Sequence, residues 1–140
     1  MIVTIATTKG GAAKTTTAML LAEAAGRAGY STLVIDADPQ RSTTQWKEVA
    51  EENGEPIRRY TVTPVNRVML SRVISKATEE WVFVDTPLGD PAVINDAIEL
   101  ADFVIVPSPV APPPRRLQPR GTNFRNDREY PRSPIFVPLG

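Results

Sequence analysis

The segment from Ile2 to Thr17, IVTIATTKGGAAKTTT, decides the fold that we predict for this chain. The apolar run at residues 2–6 is typical of a strand buried on both faces, and Gly10-Gly11 then require a turn. From Thr15 to Ala28, the apolar residues recur at helical spacing. The segment therefore predicts a strand, a loop and a helix. The loop ends at a helix N-terminus, where free N–H groups and the helix dipole favour a bound anion.

The loop itself carries residues suited to binding phosphate. Lys14 supplies a positive charge, and Thr15 supplies a hydroxyl able to ligate Mg²⁺ held by phosphates. The segment Lys9-Gly10-Gly11-Ala12-Ala13-Lys14-Thr15-Thr16 departs from the simple P-loop pattern and resembles the variant P-loop of the ParA/MinD partition ATPases, K-G-G-x-G-K-T-T. Its departure from that variant is Ala13, which we expect to be tolerated because a residue directly before the lysine can already be helical. The alternative is a surface turn with two incidental lysines.

Composition excludes several kinds of site. The 140 residues contain no Cys and no His, which rules out thiol or imidazole nucleophiles, Cys/His zinc sites and cysteine-held iron–sulfur clusters. A metal here would be Mg²⁺ held by oxygen. The length predicts one domain, and we expect no membrane span and a cytoplasmic location, because the sequence has neither a long apolar run nor a signal-peptide pattern.

Charge and proline content divide the chain. Residues 1–106 hold 10 Lys/Arg and 14 Asp/Glu, whereas residues 107–140 hold 6 and 2, together with nine of the 14 prolines. We therefore predict a domain over 1–111 and an irregular Pro/Arg-rich tail over 112–140, in which 135–137 alone has a strand pattern. The resemblance to the partition ATPases, which continue into further helices and strands, implies that the C-terminal part of the fold is missing, as in a truncated or frameshifted product. The alternative is a disordered basic arm that binds nucleic acid.

Two further acidic motifs follow predicted strands. Asp36-Ala37-Asp38-Pro39-Gln40 resembles the second motif of the partition ATPases, and Asp85-Thr86-Pro87 closes an apolar run like a Walker B strand. The resemblance implies that Asp36 and Asp85 hold waters of the Mg²⁺ shell and that Asp38 lies by the attacking water. The alternative for Asp38 is that it only caps the next helix.

The remaining elements are predicted from local signals. Ser42 to Asn53 reads as a helix with a capping box at Ser42 and Gln45, and Trp46 is predicted to pack in the core. A short strand is expected at 57–61. Thr63-Pro64 and Asp90-Pro91 each have the pattern of an N-cap and a first helical residue. Several basic residues could contact DNA phosphates, although a solvated face is the simpler interpretation: Arg58, Arg59, Arg67, Arg72 and Lys76.

This alternation of strands and helices predicts an α/β fold of the P-loop NTPase type, a doubly wound, mostly parallel sheet with helices on both faces. The family resemblance implies a weak ATPase that binds ATP and Mg²⁺ and dimerises around two nucleotides, with Lys9 reaching the partner's nucleotide. Lys14 and Asp38 would act with Lys9 in hydrolysis. Implied partners are a second copy, non-specific DNA and a ParB-like centromere-bound adaptor in plasmid or chromosome partitioning. The alternatives are a nucleotide-binding remnant without turnover and a metabolic enzyme on the same scaffold.

Overall fold

Strands and helices alternate along the chain in the computed structural model, which describes residues 1–7, 13–108 and 136–138. In chain order, the elements are β1 (Ile2–Ile5), α1 (Lys14–Arg27), β2 (Thr32–Asp36), α2 (Ser42–Glu52), β3 (Thr61–Pro64), α3 (Arg67–Lys76), β4 (Trp81–Asp85), α4 (Pro91–Glu99), β5 (Phe103–Ile105) and β6 (Phe136–Pro138). The predicted α/β class is confirmed. None of the helices in these ranges is both long and apolar enough to cross a membrane.

Within the described ranges, the strands form one sheet in the order β3-β2-β4-β1-β5-β6. The first five strands pair in parallel, and β6 pairs antiparallel with β5. β6 overlaps residues 135–137, where the tail has its strand pattern; the tail at 112–135 and 139–140 lies outside the described residues. Helix α1 packs on one face of the sheet and contacts α2, whereas α3 and α4 pack against each other on the other face. The sheet is doubly wound, as the sequence predicts.

Each face of the sheet has its own apolar core, because the strands are apolar on both sides. The core beneath α1 contains Val3, Ile5, Ala18, Ala22, Val34, Tyr60, Val62, Phe83 and Ile105. The core beneath α3 and α4 contains Leu33, Ile35, Ala37, Leu70, Ile74, Val82, Val84, Val93 and Ala97. Adjacent residues of β2 and β4 thus alternate between the two cores, which fixes the register of the central strands.

Glycine allows α1 to end and to approach its neighbour. Gly29 has a φ of 92°, and the N–H groups of Gly29 and Tyr30 donate to the carbonyls of Gly26 and Ala25 at 3.1 and 3.2 Å. This is the Schellman geometry expected after the last helical residue. A Cβ placed on Gly26 would lie 2.5 Å from the carbonyl oxygen of Arg59. Only glycine therefore permits this close contact between α1 and the segment that leads into β3.

The predictions around the third strand and third helix are wrong in their boundaries. The strand covers Thr61–Pro64 rather than 57–61, because pairing with β2 continues until Pro64 lies opposite Asp36. Proline is tolerated at this position, since β3 is an edge strand of the described sheet. The cap of α3 is Asn66, whose side chain accepts from the Met69 N–H at 3.1 Å. At α4 the prediction is confirmed, because Asp90 caps the helix and Pro91 opens it.

The predicted inward face of α2 is also wrong. Trp46 and Val49 are 62% and 53% exposed, whereas Thr43 is completely buried. Lys47 and Ala50, on the same side of the helix as Thr43, are partly buried. The helix therefore presents a threonine, rather than its largest apolar side chain, to the interior. The apolar periodicity around Trp46 cannot reveal this, because the contact made by Thr43 is polar.

Candidate functional site

Three loops meet at the C-terminal edge of the parallel sheet. Asp36 and Asp85 are directly paired in the register of β2 and β4, and Ile5 of β1 is paired with Asp85 on the other side. The loop between β1 and α1 therefore starts beside both carboxylates. The structure thus brings together the strand ends that carry the three sequence motifs, at the edge where ligands bind in open α/β sheets.

Asp85 is the most deeply enclosed group of the site. Its side chain belongs to a residue that is 1% exposed, and its Oδ2 accepts hydrogen bonds from the hydroxyls of Thr15 at 2.7 Å and Thr43 at 2.8 Å. Its Oδ1 has no hydrogen-bond partner among the described residues. A buried carboxylate oxygen without a donor is costly, which makes it a place where a bound ligand would be stabilising.

The environment of Asp85 changes its acidity. Burial raises the pKa of the carboxyl, and the hydrogen bonds from Thr15 and Thr43 oppose that rise. The Asp36 carboxylate raises the pKa of Asp85 further, whereas the Lys14 ammonium lowers it. The net direction is upward, so ionisation of Asp85 carries an electrostatic cost.

Asp36, by contrast, is held by protein donors. Its Oδ2 accepts from both the backbone N–H and the hydroxyl of Thr44, at 2.9 and 2.7 Å, and its Oδ1 accepts from the Asp38 N–H at 3.3 Å. Asp36 is 1% exposed. Its carboxylate therefore anchors the start of α2 as well as lying beside Asp85.

Asp38 lies on the more open side of the β2–α2 loop. It is partly exposed, its Oδ1 accepts from the Gln40 N–H at 2.9 Å, and its carbonyl accepts from the Arg41 N–H at 2.8 Å. Together with Asp36, it lines a cleft of about 520 Å³. Asp38 is not the N-cap of α2, because that position belongs to Arg41 at a φ of 53°.

The predicted capping box of α2 does not form. Ser42 is already the first helical residue, so its side chain is one position too late to cap the helix. Gln45 Nε2 donates to the Gln40 carbonyl at 3.1 Å, instead of reaching back to a capping residue. Local hydrogen bonds of Asp38 and Gln40 hold the turn before α2 instead. Arg41, the residue that precedes the helix, has the left-handed conformation.

The described part of the phosphate loop corrects the expectation for Ala13. Ala13 precedes α1 in the left-handed conformation, with φ 55° and ψ 30°, whereas the sequence predicts that it can be helical. Its carbonyl accepts from the N–H and the hydroxyl of Thr17, both at 2.9 Å, which starts the helix. A left-handed residue is where glycine is favoured, so alanine carries a strain there.

The other residues of the loop fall into two groups. Lys14 and Thr15 open α1 and are partly exposed, and Thr16 is exposed. The remaining predicted loop residues lie outside the described residues: Lys9, Gly10, Gly11 and Ala12. The positive charge of Lys14 lowers the pKa of Asp85, which opposes the effect of burial.

The sequence interpretation missed Thr43 and Thr44. Each donates its hydroxyl to one of the two strand-end carboxylates, Thr43 to Asp85 and Thr44 to Asp36. A pair of threonines in the first turn of the helix that follows Asp36 was the available signal. It could have been used, because a helix that starts beside a strand end brings its first side chains to that end.

The oxygen donors present fit a Mg²⁺ ion. Mg²⁺ takes oxygen ligands, keeps several of its waters and is held in proteins by one or two carboxylates together with substrate phosphates. The hydroxyl of Thr15 and the Oδ1 of Asp85, which has no partner among residues 1–7, 13–108 and 136–138, are donors of this kind at one place. The Asp36 carboxylate already accepts three hydrogen bonds, so Asp85 has the greater remaining capacity.

Most of the predicted basic side chains face solvent or acidic neighbours. Arg59 pairs with Glu23 at 3.2 Å, and Arg67 pairs with Asp96 at 2.6 Å. The others, Arg58, Arg72 and Lys76, are exposed. This arrangement agrees with the simpler interpretation of a solvated surface.

Two curated proteins resemble the chain over most of its length. It is 35% identical over 112 residues to the maintenance of carboxysome distribution protein A of Gloeobacter kilaueensis, covering 79% of this chain and 50% of that protein. It is 31% identical over 108 residues to protein ParA of Rhizobium radiobacter, covering 76% and 47%. The chain therefore spans about half the length of these relatives.

Solved structures share the fold. A putative plasmid partition protein from Borrelia burgdorferi bound to AMPPNP has a TM-score of 0.64 at 20% identity, covering 76% of this chain and 61% of that one. Cobyrinic acid a,c-diamide synthase from Mycobacterium smegmatis with an ATP analogue and magnesium has a TM-score of 0.63 at 23% identity. The match covers 76% of this chain and 59% of that one. The pNOB8 ParA bound to nonspecific DNA has a TM-score of 0.54 at 18% identity. The match covers 76% of this chain and 52% of that one.

A protein-family model also matches the chain and assigns it to a family. The model for the CobQ/CobB/MinD/ParA nucleotide binding domain matches residues 3–109, which include every predicted site residue. Apart from Ile2 at the start of β1, the matched range also covers the five parallel strands and the four helices between them, as the described residues define them. The chain therefore belongs to the CobQ/CobB/MinD/ParA family of nucleotide-binding domains.

Proposed function

We propose that this chain binds ATP with Mg²⁺ and acts as a weak ATPase in plasmid or chromosome partitioning. One observation carries the proposal: the Thr15 hydroxyl lies 2.7 Å from Oδ2 of the buried Asp85, whose Oδ1 has no partner in the described part of the chain. The pair combines a loop hydroxyl and a strand-end carboxylate, the two protein groups that a P-loop uses around Mg²⁺.

Each residue of the site has a distinct task in this proposal. Lys14 neutralises phosphate charge at the start of α1, where the helix dipole also favours an anion. Thr15 ligates the metal, and Asp85 and Asp36 hold waters of its shell. When bound, Mg²⁺ neutralises charge on the phosphate oxygens. Asp38, which is partly exposed in the β2–α2 loop, orients the attacking water.

The assembly part of the proposal rests on the family and on named relatives. Lys9 contacts the nucleotide of a second copy, so that ATP is shared at a dimer interface. The dimer binds non-specific DNA and meets a ParB-like centromere-bound adaptor, at the nucleoid in the cytoplasm. Support comes from the ParA relative and from the fold shared with a DNA-bound ParA. Arg58, Arg72 and Lys76 are exposed cations that could meet phosphate.

Two lysine variants separate nucleotide binding from assembly. Lys14→Ala should weaken binding of a fluorescent ATP analogue, because its charge lies at the phosphate site. Lys9→Ala should spare monomer binding and abolish ATP-dependent dimerisation, measured by sedimentation velocity. Lys47→Ala is the control, since Lys47 pairs with Glu51 at 3.7 Å within α2 and is not one of the predicted site residues. Equal losses of nucleotide binding in the Lys9 and Lys14 variants would contradict these assignments.

A further inference from the structure

Thr43 occupies an unusual position for a threonine in the first turn of a helix. It is 0% exposed, and its hydroxyl donates to Asp85 Oδ2 at 2.8 Å, across 42 residues of sequence. Threonine hydroxyls near a helix start more often bond to their own helix backbone. Here the hydroxyl instead connects α2 with the end of β4.

The hydrogen bond from Thr43 also constrains the orientation of the Asp85 carboxylate. Thr15 and Thr43 both donate to Oδ2, so two hydroxyls on different helices hold the same oxygen. With Oδ2 fixed in this way, Oδ1 is left as the oxygen without a protein partner among the described residues. Thr43 is therefore one of the two donors that leave Oδ1 as the carboxylate oxygen open to a ligand.

The neighbouring residue strengthens this geometry. Thr44 donates its N–H and its hydroxyl to Asp36 Oδ2 at 2.9 and 2.7 Å. Asp36 and Asp85 are register partners on adjacent strands, so consecutive residues of α2 hold two adjacent carboxylates. The first turn of α2 is thus attached to the site through side chains on both strands.

We propose that Thr43 is a positioning residue for the Mg²⁺–nucleotide site, acting through Asp85. The inference rests on the proposed nucleotide function and adds a residue to it. Thr43 holds Oδ2 so that Oδ1 faces the metal-bound water, and it does so without touching nucleotide or metal. Outer-shell partners of this kind typically contribute 10- to 100-fold to metal affinity.

The test compares nucleotide affinity with Mg²⁺ and with EDTA in matched variants. Thr43→Val removes the donor at nearly constant volume, and Thr43→Ser keeps the donor. Thr4→Val is the control, because Thr4 is also 0% exposed and its hydroxyl donates at the same length, 2.8 Å, to the Ala97 carbonyl. It thus removes a buried hydrogen bond that does not involve Asp85.

Thr43→Val should lose about tenfold of the affinity gain that Mg²⁺ gives to ATP binding, with the EDTA value unchanged within about twofold. Thr43→Ser and Thr4→Val should retain the gain. If Thr43→Val does not fold, Thr43→Ala removes the same donor with less risk of overpacking and must give the same loss. The titration is repeated with Mn²⁺, which should report the same order of variants.

Two failures are distinguishable. A parent chain whose ATP affinity does not rise with Mg²⁺ overturns the proposed function itself, and the Thr43 role with it. A parent that gains affinity, combined with a Thr43→Val variant that gains equally, overturns the Thr43 role alone. Equal weakening of Thr43→Val in Mg²⁺ and in EDTA also overturns it, because the residue would then act on the fold or the nucleotide rather than on the metal.

Discussion

Replacing Ala13 by glycine should stabilise the nucleotide-free protein. Ala13 is exposed and left-handed at φ 55° and ψ 30°, and two hydrogen bonds from Thr17 hold its carbonyl in place. The left-handed conformation costs an L-residue about 1–2 kcal/mol. Glycine removes that cost, but its greater conformational freedom also stabilises the unfolded chain by about 0.4–1 kcal/mol. The net gain is therefore about 0.5–1 kcal/mol.

The corresponding shift in melting temperature is measurable. An unfolding entropy of about 2.1 cal/mol/K per residue over the roughly 110 residues that the structure describes gives about 0.23 kcal/mol per degree, so Ala13→Gly should melt about 2–4 °C higher. Differential scanning calorimetry without nucleotide measures this directly. Ala24→Gly is the matched control, because Ala24 is exposed in the right-handed interior of α1. It should melt about 4 °C lower, from a helix-propensity loss of about 1 kcal/mol.

The opposite signs of the two substitutions make the comparison decisive. If Ala13 were a right-handed helical residue, as the sequence pattern allows, glycine would be unfavourable at both positions. A fall in melting temperature for Ala13→Gly similar to that of Ala24→Gly would therefore refute the left-handed assignment. It would also remove the reason for regarding alanine at this point of the loop as strained.

Gly26→Ala should lower the free energy of unfolding in urea by about 1–3 kcal/mol, because the new Cβ lies 2.5 Å from the Arg59 carbonyl oxygen and backbone must move; an unchanged midpoint would show that α1 does not approach this segment so closely. Asp85→Asn should raise the melting temperature of the nucleotide-free protein near neutral pH, because it removes a buried negative charge that lies beside Asp36. Since burial raises the folded pKa of Asp85, the parent loses stability as pH rises from the unfolded pKa through the folded pKa. The advantage of Asn should therefore vanish in acid, and a pH-independent difference in melting temperature would contradict this cause. Asp38→Asn should bind ATP and Mg²⁺ like the parent and melt within about 2 °C of it, because Asn also accepts the Gln40 N–H, yet it should hydrolyse ATP far more slowly in phosphate-release assays; unchanged turnover in an active parent would leave Asp38 as a structural residue.

The buried strands and the carboxylates that end them were predictable from the sequence for a simple physical reason. Strands buried on both faces are continuous apolar runs. A carboxylate that ends such a run must lie where the parallel strands have their C-terminal ends. Asp36 and Asp85 were found in this way. Asp90-Pro91 was also predictable, because an N-cap and a first-turn proline are local features that tertiary contacts did not override.

The predictions that failed depended on contacts between distant segments. Thr63-Pro64 has a helix-start pattern, but pairing with β2 keeps Pro64 in a strand and Asn66 becomes the cap. Trp46 has the pattern of a core residue, but the polar contact of Thr43 with Asp85 sets the rotation of α2 and leaves Trp46 exposed. Such departures from local preference concentrate at functional sites, and both Ala13 and Thr43 adjoin this one.

The magnesium dependence of ATP binding tests the Thr15–Asp85 pair most directly. Isothermal titration calorimetry of the parent chain with ATP, in Mg²⁺ and in EDTA, should give a clearly higher affinity in Mg²⁺. Asp85→Asn should lose that difference while keeping the EDTA affinity, because the amide lacks the charge that holds the metal shell. An ATP affinity in the parent that is identical in Mg²⁺ and EDTA, or a full Mg²⁺ gain in Asp85→Asn, would contradict the assignment of this site.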